Sequence, residues 1–266
     1  MFTTEIDQLN TENIIFSNSF QGTHRTIIPV GIRNEAQEIV PLIVKTPPNL
    51  LSFGIQEIRN KDTDRIVGYQ MPICLWGKRK ASEDEKQFSD KLEEIVEYCR
   101  SFLTDIKEEA SLTDEMIQSF NILNWKYENG VRKEDKGPIL YTKLINNKNN
   151  NILTYFVDEK SDVTFEPLEL LNQKCLIRAA IKIENIIIGS RISLQLKLCE
   201  VQVRRLNASE RPHTTRSLFK PEVVLQKPVK KIPEFVKDAP PTKWNMFEAL
   251  AMDDEDECIE SSELHV

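Results

Sequence analysis

Glycine is scarce in this chain, 8 in 266 residues, and histidine scarcer still at 3. So few glycines exclude collagen-like repeats and broad low-complexity sequence. They also leave no glycine-rich loop of the kind that cradles a nucleotide's phosphates. His24, His213 and His265 are dispersed and fall in no H-E-x-x-H or H-x-x-x-H spacing. Neither a G-x-S-x-G elbow nor a Cys-His pairing can be read. The five cysteines, Cys74, Cys99, Cys175, Cys199 and Cys258, are odd in number and contain no C-x-x-C pair. That argues against a disulfide framework or thiolate zinc site, and for free thiols in a reducing compartment. Acidic pairs in residues 82–118 lack the apolar setting that raises a carboxyl pKa for acid catalysis. No catalytic residue, cofactor or metal is expected, and the chain does not read as an enzyme.

Long apolar runs are missing as well. None approaches the ~20 residues of a membrane helix. The opening MFTTEIDQLNTENIIF has no basic segment ahead of an apolar one, so no secretory signal is expected.

Positive charge also looks deficient, with a net charge of −7, but the charge is segregated. Residues 1–81 hold 9 basic and 8 acidic side chains, and residues 82–118 hold 4 and 12. Residues 119–246 reverse the balance, 22 basic to 14 acidic, and the last twenty residues hold 8 acids and no base. A basic body with acidic appendages keeps a polyanionic partner open.

The pattern along the chain divides it into a flexible lead-in (1–20), a mostly β body (21–206), a basic, proline-interrupted linker (207–243) and an acidic tail (244–266). Short β-branched runs at 25–32, 39–45, 51–58 and 68–76 read as meandering strands. Ser82-Glu83-Asp84-Glu85 is a capping box. Behind it Phe88, Leu92, Ile95, Val96, Cys99, Phe102, Leu103 and Ile106 recur at helical spacing, so an amphipathic helical element occupies 82–118, with a second short helix from Thr113. Strands are expected again over 122–127, 138–145, 152–157, 174–188 and 191–205. The last two form a hairpin about Gly189-Ser190, read as a two-residue type II′ turn. In that register Ile183 faces Leu196 and Ile181 faces Leu198, while Lys182 faces Lys197 and Glu184 faces Gln195. One face is core and the other wet.

The wet face presents Arg178, Lys182, Arg191 and Lys197. Like charges directly opposite destabilise a sheet. Lys182 against Lys197 is therefore explained either by a polyanion on that face or by diagonal neutralisation from Glu184 and Glu200. Tyr141 alternates with Lys143, Trp125 and Tyr127 flank Lys126, and Tyr155-Phe156 lies on the next strand. Such rings stack on bases without regard to sequence while lysines hold phosphates, or they are core, the better fit for Phe156 and Trp125. The loop 132–137 carries mixed charge. In the tail, Trp244, Phe247 and Leu250 recur at i, i+3, i+6 before Asp253, Asp254 and Glu255. This reads as a partner-docking peptide, a mimic of phosphates or a solubilising end.

The stretch Lys136-Gly-Pro-Ile-Leu-Tyr-Thr-Lys-Leu-Ile145, then 151–158, then Cys175 to Glu184 and Ile188 to Leu198, resembles the single-stranded-DNA-binding proteins of nucleocytoplasmic large DNA viruses, the African-swine-fever-type viruses and their giant-virus relatives. The resemblance covers residues 120–206. It implies an OB-like antiparallel barrel with the helical element as an insertion, acting in viral genome replication, recombination or repair. It also implies Tyr141, Lys143, Arg178, Lys182 and Lys197 as contacts to single-stranded DNA, to which the residue reading adds Arg191, Lys126 and Tyr127. The partners expected are single-stranded DNA and, through the tail, replication or repair proteins. Self-association is left open. The setting implied is the host cytoplasm, where such viruses replicate, with the virion and host nucleus as alternatives. The rival is a virion-structural or transcription-associated interaction protein without direct DNA binding.

Overall fold

In the computed structural model, the apolar–polar alternation of Cys175–Ile188 and Ile192–Arg205, interrupted at two points, produces the longest paired unit among the described residues. The structure describes residues 6, 9–22, 24–77, 79–133, 135–147 and 151–206. The expected linker and tail, with Trp244, Phe247, Leu250, Asp253, Asp254 and Glu255, lie outside the described residues. In chain order the elements are β1 (Ile14–Phe16), β2 (Phe20–Gln21), β3 (Thr26–Arg33), β4 (Ile39–Lys45), β5 (Leu50–Ser52), β6 (Gln56–Arg59) and β7 (Ile66–Cys74). Helices α1 (Glu83–Asp105) and α2 (Asp114–Ser119) follow. Then come β8 (Leu123–Asn124), β9 (Tyr127–Glu128), β10 (Val131–Arg132), β11 (Ile139–Leu144), β12 (Tyr155–Asp158), β13 (Cys175–Ile188) and β14 (Ile192–Arg205).

The protein is mostly β, built around an OB-like barrel. β13 pairs with β5, β5 with β7, β7 with β11, β11 with β14, and β14 with β13, which closes a ring of five strands. Every pair in the ring is antiparallel except β11–β14. Closure removes the edges that an open sheet would expose. β13 is long enough to carry β4 and β3 beyond β5 on the same edge, and β12 continues along β14 beyond β11. The barrel interior takes the inward residues of each strand, including Ile177, Ala179, Ile181 and Ile183 of β13 and Leu194, Leu196, Leu198, Val201 and Val203 of β14.

α1 lies in the β7–β11 connection. Ser82 accepts from the Glu85 amide and the Glu85 carboxylate accepts from the Ser82 amide, so the expected capping box is formed. Phe88, Leu92, Ile95, Val96, Cys99 and Leu103 make the buried stripe. The lead-in departs from expectation. Ile14–Phe16 form β1 on β3, Ile14 is buried, and the Phe16 ring stacks 4.0 Å from Phe102 of α1. The polar residues 10–13 and 17–19 on either side of Ile14–Phe16 hid a strand whose partners lie farther along the chain. The single run expected over 51–58 is two strands, broken at Gly54. There φ is +87°, and a Cβ would stand 2.5 Å from the Gln173 amide.

Candidate nucleic-acid interface

The hairpin carries two β-bulges that together decide the candidate site. Ile181, Lys182 and Ile183 pair with Leu198, Lys197 and Leu196 as the alternation predicts. Asn185, not Glu184, then faces Gln195, so Glu184 is an extra residue on β13. Cys199 is the extra residue on β14, since Ala180 faces Glu200. The one-residue shift past Glu184 also corrects the turn. Ile188 pairs with Ile192, leaving a three-residue loop, Gly189 to Arg191, in which the Gly189 amide donates to the Arg191 carbonyl at 3.1 Å. Gly189 does not take the positive φ that a type II′ turn requires.

The bulge also corrects the placing of Glu184 on the wet face. It is 7% exposed and sits between the two lysines. Lys182 Nζ donates to Oε1 at 2.5 Å, and Lys197 Nζ lies 3.0 Å from Oε2. Burial pushes this carboxyl up, but the ammonium groups of Lys197 and Lys182 outweigh it and hold the carboxyl below its ordinary range. The facing lysines are thus stabilised internally by Glu184, one of the two acids in the diagonal-neutralisation reading. Their opposition does not by itself call for a polyanion.

A third lysine enters from β11. Lys143 is in register with Lys197 across the parallel pair and with Gln70 on β7. The row crossing the outer face therefore reads Ile43, Lys182, Lys197, Lys143, Gln70 and Gln56, drawn from six strands. Two of its three lysines, Lys182 and Lys197, share the Glu184 carboxylate. Tyr141, two residues before Lys143, shares its face and is 45% exposed. Tyr155 of β12 is 53% exposed and in register with Glu200, three residues past Lys197 on β14, on the other side of the row from Tyr141. Buried Thr154 positions this strand. Its hydroxyl accepts from the Ile145 amide at 2.9 Å and donates to the Leu198 carbonyl at 2.7 Å.

Tyr141, Lys143, Lys182 and Lys197 are thus contiguous. Arg178 is exposed on the same face of β13, four residues from Lys182, roughly 13 Å along the strand. Arg191 is exposed in the hairpin loop, six residues from Lys197 and roughly 20 Å away. Lys126 and Tyr127 do not join the sheet. Tyr127, 61% exposed, belongs to β9, which pairs only with β10 in a separate two-stranded ribbon among the described residues. Trp125 packs against the core and meets Trp76 edge to face, while Phe156 is buried outright. Of the pair Tyr155-Phe156 read as rings that stack or pack, the structure exposes Tyr155 and buries Phe156. Sequence reasoning had no access to Gln70 or Gln56, whose place in the row depends on barrel closure. Among the described residues no cluster of three or more His, Cys, Asp or Glu is placed to hold a metal, and no helix is long and apolar enough to cross a membrane.

The chain belongs to the family described as a protein of unknown function (DUF2738), whose model matches residues 8–236. Among curated proteins it is 28% identical over 177 residues to "Uncharacterized protein 007R" of Invertebrate iridescent virus 3, covering 65% of this chain and 38% of that protein. It is 29% identical over 167 residues to the "Early 31 kDa protein" of Frog virus 3 (isolate Goorha), covering 61% and 63%. Each match thus spans less than two thirds of the relative. Among solved structures, the single-stranded DNA-binding protein from bacteriophage Enc34 in complex with ssDNA aligns with a TM-score of 0.40 and 9% identity, over 74% of this chain and 97% of that one. The single-stranded DNA binding protein gp2.5 encoded by bacteriophage T7 aligns at 0.38 and 10%, over 66% and 98%.

Proposed function

We propose that this member of the family binds single-stranded DNA without strong sequence preference across the outer face of its barrel. The observation that carries the reading is the row Lys182–Lys197–Lys143, set across three adjacent strands between exposed Tyr141 and Tyr155. Ammonium groups at strand spacing, ~4.8 Å, neutralise successive phosphates. The two rings offer sequence-tolerant stacking platforms, each worth about 1–3 kcal/mol per base. Gln70 and Gln56 extend the row with neutral donors. The setting we infer is viral genome replication, recombination or repair at the site of viral replication in the host cytoplasm. The tail bearing Trp244, Phe247 and Leu250 would recruit partner proteins there.

The rival, an interaction protein that does not touch DNA, draws on Glu184, which offsets part of the lysine charge without any ligand. Filter retention of labelled oligo-dT against duplex, across a salt series, separates the two. Preference for the single strand, with affinity falling steeply as salt rises, is the expected result. No retention at low salt would sink the proposal.

A further inference from the structure

Away from the lysine row, a cleft of about 580 Å3 opens between the start of α1 and the β9–β10 ribbon, lined by Trp76, Trp125, Lys80, Lys86, Asp90 and Asp135 with Arg79 and Arg132. Its volume falls within the range of small-ligand pockets. One wall is rigid. The buried Trp76 ring is closely packed by Gly137, where a Cβ would stand 2.6 Å from the indole, and the Cys74 thiol donates to the Trp76 carbonyl at 2.8 Å. Trp125 lies 5.5 Å from Trp76 with the ring planes 66° apart. Arg132 spreads its guanidinium 3.2 Å from the centre of the Trp125 ring and is 3.5 Å from Glu93. Flat π and guanidinium surfaces of this kind stack on a nucleobase.

Charge narrows the ligand. Arg79 is committed to Glu85 by two hydrogen bonds of 2.5 and 2.8 Å, and Arg132 has Glu93. That leaves Lys80 and Lys86 beside Asp90 and Asp135, two charges of each sign. Such a balance does not select a polyphosphate or an acidic peptide. It suits a ligand with both donors and acceptors. A carboxylate accepts from the exocyclic amine of a base, and a lysine holds the neighbouring phosphate.

We propose that this cleft takes one amino-bearing nucleobase, with its adjoining phosphate, unstacked from a single strand. The inference rests on the reading that the chain binds single strands, and it assigns a second contact point remote from the lysine row.

The test uses the full chain carrying Trp244→Phe, so that of its three tryptophans only Trp76 and Trp125 remain to report by fluorescence. Oligo-dC, oligo-dT and an abasic strand of equal length are titrated, and retention on filters is measured in parallel. Oligo-dC is expected to quench, and the abasic strand to be retained with little quenching. Asp90→Asn, at an exposed position, is expected to weaken the quench-derived affinity for oligo-dC by about tenfold, as one charge-assisted hydrogen bond becomes a neutral one, and to leave oligo-dT unchanged. Quenching equal to that of oligo-dC with the abasic strand, or none with strands that are retained, would overturn the cleft assignment and leave the lysine face standing. No retention of any strand would remove both.

Discussion

Glu184 holds two charges of like sign on one face, and it does so from a position that alternation alone would have put outside. Its extra place on β13 turns a solvent-facing carboxylate into one that is almost buried between Lys182 and Lys197. Removing its charge should therefore act in two opposite directions. Glu184→Gln leaves two ammonium groups facing each other across the hairpin, and we expect a loss of roughly 1–3 kcal/mol in denaturant unfolding. The same variant should bind oligo-dT more tightly at low salt, because the lysines lose their internal partner. Weaker or unchanged binding would count against the row as a phosphate track. The sign of the pH effect follows from the lowered carboxyl pKa. The stabilisation is fully present above the ordinary value of 4.5 and is lost as pH falls through the lower folded-state value. Thermal scans from pH 6 downward should show a steeper acid decline for the native chain than for Glu184→Gln.

Elements differ in how far a short stretch of sequence determines them. α1 was legible because its start and its stripe are local. Ser82 and Glu85 satisfy each other's amides, and Ser82→Ala should cost about 1 kcal/mol, seen as a fall of roughly 2–4 °C in melting temperature. The β13–β14 pairing was legible through its alternation, but the bulges were not, since Glu184 and Cys199 look like ordinary positions in the run. β1 escaped notice because Ile14 and Phe16 find their partners in β3 and α1. The break between β5 and β6 is set by Gly54, whose positive φ and close approach to the backbone of Leu170 and Gln173 leave no room for a side chain. Gly54→Ala should accordingly destabilise the barrel by at least about 2 kcal/mol, measured by urea unfolding. The candidate site divides the same way. Lys182 and Lys197 meet within one hairpin, whereas Lys143 reaches them through a parallel pair that no local pattern announces.

At the scale of the whole molecule, charge segregation sets the field in which any strand must bind. The three lysines of the row are expected to account for part of the salt dependence. For single strands the log–log slope falls by about 0.7 per phosphate neutralised, so replacing Lys143, Lys182 and Lys197 together by Gln should reduce the slope by roughly 2. An unchanged slope would place the phosphate contacts elsewhere. The last twenty residues carry charge of the opposite sign. They hold eight acids and no base, and without them the chain's net charge passes from −7 to +1. If this segment competes with phosphates for the lysines, deleting residues 247–266 should tighten oligo-dT binding at low salt, with the difference vanishing as salt screens both partners. If it only recruits other proteins, affinity will be the same with and without it, and the competition argument fails while the docking role of Trp244, Phe247 and Leu250 stands. The deletion thus measures whether the acidic tail and the basic face are two functions or one.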